Sequence, residues 1–127
     1  MTRTEKAVAS FQSGYNCSQS TFMVFIDDLG LEKPQSMKLA SGFGAGMGRI
    51  QEVCGAVSGG VLALGARFGH GEPAESEAQK KTCALVQEFF RRFQSQHGSC
   101  LCRVLLQGID LKTVEGQKQF KDRDMRI

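Results

Sequence analysis

The chain has 127 residues, 41% hydrophobic and 23% charged, with a net charge of +3. That length predicts a single domain over residues 1–127 with a real core. Lys and Arg are scattered among Asp and Glu rather than gathered in a stripe, which sets nucleic-acid binding aside.

The punctuation predicts short helices joined by glycine turns. Thr4 to Ser13 carries Val8 and Phe11 on one side and stops at Gly14. Asn16 is an N-cap residue type, which places Cys17 in the first turn of a second helix. Phe22, Phe25, Ile26 and Leu29 form that helix's apolar face, and Gly30 ends it. Pro34 suits the first turn of a third helix with Met37, Ala40 and Phe43 inward. From Gly42 to Gly48 glycine occupies every second position, so an irregular stretch with positive φ angles is expected. It reads first as a tight connection between backbones and second as a nest of N–H groups.

A central helix is expected from about Gln51 to Arg67. No charge occurs between Val53 and Ala66, and as a helix this run spans roughly 21 Å, too short for a bilayer core of roughly 30 Å. No direct membrane span follows. Gly55, Gly59 and Ala63 form a strip where another helix can approach closely, while Val57, Val61, Leu64 and Phe68 lie opposite. Pro73 opens a long helix with Cys83, Val86, Phe89, Phe90 and Phe93 as an inward stripe, ended by Gly98. Cys100 to Leu106 reads as a short helix capped by Ser99. Lys112 to Ile127 is a charged tail anchored by Val114 and Phe120. No strand pattern occurs. The fold class is all-α: a compact bundle of about six to seven short helices around a glycine-rich central one.

Five cysteines, with no export signal in Met-Thr-Arg-Thr-Glu-Lys, argue against a disulfide framework and for a reducing, cytoplasmic setting. Cys17, Cys54 and the Cys100/Cys102 pair each fall near a predicted helix start, where unpaired N–H groups favour the thiolate. Arg49 and Arg103 are close enough in sequence to add positive charge. Cys83 reads as core filler. If residues 100–106 are helical, Cys100 and Cys102 point about 200° apart, so one of them faces the site, and Cys102 is the one directed inward. His70 reads as solvated and His97 as a helix C-terminal group.

Four segments together resemble a known family: Ser13-Gly-Tyr-Asn-Cys-Ser-Gln19, Phe43-Gly-Ala-Gly-Met-Gly48, Val53-Cys-Gly-Ala-Val-Ser-Gly-Gly60 and Cys102-Arg-Val-Leu-Leu106. They look like the C_GCAxxG_C_C family, named for cysteines around a Cys-Gly-Ala-x-x-Gly motif. The resemblance implies a small helical protein with a redox role and supplies no substrate. By motif, Cys17, Cys54 and Cys102 take the family's first three cysteine positions. The family's last cysteine follows a charged segment like Lys112 to Ile127, and this chain ends without it: either the sequence is cut short at Ile127 or this member lacks one redox partner. Cys83 and Cys100 are extras.

Three functions follow. The first is thiol redox work, either disulfide exchange or electron transfer. Cys54 is then the reactive thiol, Cys17 or Cys102 its partner, and a redox protein or a small thiol or disulfide the substrate. The second is a thiolate-bound metal or iron–sulfur cluster on Cys17, Cys54 and Cys102, with His97 or an external group as fourth ligand. That is the cofactor the residues allow, the other reading being no cofactor at all. The third is a non-catalytic helical module, such as a homodimer using the small-residue strip and the Phe clusters.

Overall fold

The computed structural model describes residues 1–122. Seven α-helices follow in order among these residues: α1 Arg3–Gln12, α2 Cys17–Leu29, α3 Lys33–Ala40, α4 Gly55–Phe68, α5 Ser76–His97, α6 Cys102–Leu105 and α7 Val114–Asp122. A 3-10 turn, Ser41–Phe43, links α3 to the glycine-rich stretch. The bundle is all-α, and the predicted helix count and central glycine-rich helix are both observed.

α2 begins where the sequence places it. Asn16 accepts from the Gln19 backbone N–H, and the Gln19 side chain accepts from the Asn16 N–H, a reciprocal capping box that satisfies two donors at the helix start. Gly30, at φ +68°, closes the helix in the left-handed conformation. Phe22 and Ile26 from α2, Met37 and Ala40 from α3, and Ala63 from α4 form the buried core, flanked by Tyr15, Met23, Phe25 and Leu62. α2 and α4 are the central pair.

The strip on α4 is filled from within the chain by α2. A Cβ on Gly59 would lie 2.6 Å from the Ser18 carbonyl oxygen, and one on Gly55 would overlap the Cys17 sulfur. Gly60, on another face of α4, receives the edge of the Phe89 ring from α5. The small-residue strip therefore joins two helices of one chain, and it is not left open for a second copy.

Several expectations change. The central helix starts at Gly55 rather than near Gln51, with Cys54 as its N-cap residue. Residues 99–101 are not helical, and Val53 pairs with Leu101, extended at φ −90° and ψ 128°, in an isolated antiparallel bridge. Cys83 is exposed, because α5 turns no residue into the fully buried core. Val8 is also exposed, and Val114, 84% exposed, anchors nothing. The end of the predicted charged tail, residues 123–127, lies outside the described residues.

Candidate thiol site

The site grows from three backbone features. The first is the capping box of α2, which fixes Cys17 as the first residue of that helix. Asn16 is held further by its amide donating to the Ser41 carbonyl at 2.9 Å. The second is the bare Cα of Gly55, against which the Cys17 sulfur lies. Gly55 directly follows Cys54 in the chain, so one glycine brings the sulfur of α2 to the start of α4.

The third feature is the glycine-rich stretch. Ala45, Gly46, Met47, Gly48 and Arg49 all have φ between +52° and +71°, which makes a left-handed turn. Glycine adopts this conformation freely, but Ala45, Met47 and Arg49 do so at a cost of about 1–2 kcal/mol each. Such strain persists only where surrounding contacts hold it. Here the Gln51 N–H donates to the Ala45 carbonyl and the Glu52 N–H to the Gly46 carbonyl, both at 3.1 Å. The Ala45 N–H donates to the Cys17 sulfur at 3.4 Å. The carbonyls of the turn thus accept from the segment that follows it, and one of its N–H groups serves the thiol.

The bridge supplies the remaining sulfurs. The Cys54 N–H donates to the Cys100 carbonyl at 2.7 Å, and the Cys102 N–H to the Glu52 carbonyl at 2.6 Å. In an extended segment residues two apart share a face. Cys100 and Cys102 accordingly both turn inward, 8% and 7% exposed. The expectation that one of the two would face away fails because the helix begins only at Cys102. Cys17 and Cys54 are half-buried, so the group has two outer and two inner thiols.

Electrostatics run against the helix-terminus argument in the fully reduced protein. Burial pushes the Cys54 thiol above its usual value, outweighing the Ala56 and Val57 N–H groups that favour the thiolate. A charge on Cys17 or Cys100 raises it further. Cys102 is pushed up to about 11 by burial, then by the charges of Cys54 and Cys17. Cys100 is raised by burial. A charge on Cys17 thus acts in the same direction on Cys54 and Cys102. Arg103 does not assist, because its guanidinium pairs with the Glu52 carboxylate.

Among the described residues no three or more His, Cys, Asp or Glu side chains are grouped to hold a metal ion. His97 is exposed at the end of α5, its ring 4.5 Å from that of Phe93. No helix of the described residues is long and apolar enough to cross a membrane.

The model of the family described as "Putative redox-active protein (C_GCAxxG_C_C)" matches residues 15–126. The chain belongs to the C_GCAxxG_C_C family. Its match spans all five cysteines, the left-handed turn and the α2/α4 crossing. No curated protein and no solved structure matches the chain.

Gln51 is a structural residue of the site that the sequence reading missed. Its side chain is buried, its amide donating to the Ile109 carbonyl at 2.6 Å and its carbonyl accepting from the Leu111 N–H at 2.9 Å. It thereby ties the segment after α6 to the bridged segment that leads into Cys54. An uncharged polar residue ahead of a long uncharged run was the available signal.

Proposed function

We propose that this protein is a thiol–disulfide exchange protein of a reducing, cytoplasmic setting, its residues 1–127 acting as one domain. Cys54 is the attacking sulfur, Cys17 the thiol that closes the disulfide, and Cys102 the inner thiol of the same group. The single observation that supports this reading is the placement of the Cys17 sulfur in the space a side chain at position 55 would fill.

Cys54 loses its proton and attacks one sulfur of a disulfide on a partner protein or small molecule. That S–S bond breaks, one partner sulfur leaves as a thiol, and a mixed disulfide remains. Cys17 then attacks the Cys54 sulfur, expels the second partner thiol and forms the Cys17–Cys54 disulfide. Two protein thiols lose two electrons and two protons, and the partner disulfide gains both. Burial favours the protonated Cys54 thiol, so its thiolate does not stabilise the reduced form, and the protein tends to give electrons rather than take them.

Equilibration against graded ratios of reduced and oxidised dithiothreitol, followed by acid quench and thiol counting, tests this. The expected result is the joint loss of two thiols per chain as one two-electron couple, abolished by Cys54→Ser. Independent loss of single thiols spread over all five cysteines would reject the reading.

A further inference from the structure

The bridge between Val53 and Leu101 sets the register of the two segments that carry Cys54 and Cys100. Counting outward from this pair places Cys54 directly opposite Cys100, whereas Cys102 lies opposite Glu52 and diagonal to Cys54. The bond from the Cys54 N–H to the Cys100 carbonyl, 2.7 Å, fixes the first pair. Opposite residues joined by a ladder hydrogen bond have Cα atoms about 5.5 Å apart with side chains on the same side, and diagonal neighbours lie about 7–8 Å apart. Disulfides form at Cα separations of about 4.4–6.8 Å and fail beyond about 7 Å without backbone movement. By this measure Cys100 is better placed than Cys102 to bond with Cys54.

We infer that Cys100 is a second resolving thiol for Cys54, forming a cross-strand disulfide with it. The inference rests on the exchange reading above and adds a residue to it. The Cys100 environment suits the task. Its sulfur is 3.5 Å from the Phe90 carbonyl, a neutral acceptor for the S–H, and the residue is buried. In the step itself, Cys100 loses its proton and attacks the Cys54 sulfur of the mixed disulfide. The Cys54–partner bond breaks, the partner sulfur leaves and takes up a proton, and the Cys54–Cys100 bond forms. Cys17 stays reduced on the outer side.

The test uses the full chain with glutathione disulfide as probe, in two backgrounds: Cys17→Ser with Cys102→Ala, and the same pair plus Cys100→Ala. In the triple variant the glutathione adduct on Cys54 should persist. In the double variant it should disappear faster, by on the order of tenfold or more, leaving a Cys54–Cys100 disulfide found by mass spectrometry of peptic fragments cut between residues 100 and 102. Equal adduct lifetimes in the two backgrounds, with Cys100 still alkylatable, would overturn the role of Cys100 and leave the exchange reading standing. Absence of any Cys54 adduct or disulfide in both would overturn the two together. Should the triple variant fail to fold, Cys17→Ser alone serves: oxidised with glutathione disulfide it should yield the 54–100 linked fragment, and its absence there, with Cys100 still alkylatable, overturns the inference.

Discussion

The α2/α4 crossing and the long helix α5 solve the same packing problem in opposite ways. At the crossing, glycines remove side chains altogether, so that the Cys17 sulfur and the Ser18 carbonyl rest on the α4 backbone. α5 has 22 residues, none of them fully buried, and covers its neighbours with Phe89, Phe90 and Phe93 while Glu88 pairs with Arg91 and Arg92 on its outer side. A backbone contact cannot yield, whereas a half-buried ring can rotate away. The crossing is therefore the place where sulfur positions are fixed, and α5 is a cover. Its own cysteine, Cys83, is exposed and outside the group.

Alanine substitutions along α4 turn this contrast into numbers. Gly55→Ala places a methyl group on the Cys17 sulfur and should cost about 3 kcal/mol, as overpacking at rigid sites does. Urea unfolding would show it as a lowered midpoint with unchanged slope. A loss under about 0.5 kcal/mol would mean that the crossing is loose.

Alkaline pH acts next. In the folded chain the Cys102 thiol, at about 11, holds its proton more tightly than the 9.0 of an unburied thiol. Its contribution to stability is therefore complete below about pH 9 and is lost as pH rises through 11, by about 3 kcal/mol in total. Cys102→Ala should flatten that part of the stability–pH curve. An unchanged slope between pH 9 and 11 would show that the thiol is not desolvated.

Gly60→Ala meets only the far edge of the Phe89 ring. α5 can give way, so the cost should be about 1 kcal/mol, with disulfide formation between Cys17 and Cys54 unimpaired. Gly65→Ala meets nothing within 4 Å and should raise stability by about 0.5–1 kcal/mol through helix propensity alone. The same substitution in one helix thus runs from a large loss to a small gain. If thermal or urea unfolding ranks the three differently, the division between fixed crossing and yielding cover is wrong.

Much of the crossing is legible in the sequence. Asn16 announces the cap that orients Cys17, and the i, i+4, i+8 spacing of Gly55, Gly59 and Ala63 announces a close helix contact, since only small residues permit one. The bridge is not legible, because one residue pair carries no alternation and Cys100-Leu-Cys102 is equally compatible with a helical turn. The left-handed turn is half legible. Alternating glycines signal positive φ, but nothing signals that Ala45, Met47 and Arg49 share it until the bonds to residues 51 and 52 are seen. Cys83 shows the limit of periodicity, which identifies a face of α5 but not how far along the helix that face is covered. For Cys54 the favourable backbone N–H groups can be foreseen, but the depth of burial that outweighs them belongs to tertiary packing.

Exchange at Cys54 requires α2 to deliver the Cys17 sulfur to the start of α4. Its most direct test is a chain in which Cys83 is serine and Cys100 and Cys102 are alanine, oxidised with glutathione disulfide at low protein concentration and mapped by mass spectrometry. The predicted product is an intramolecular Cys17–Cys54 disulfide, lost when Gly55→Ala is added. Stable glutathione adducts on both cysteines, or only intermolecular dimers, would contradict it.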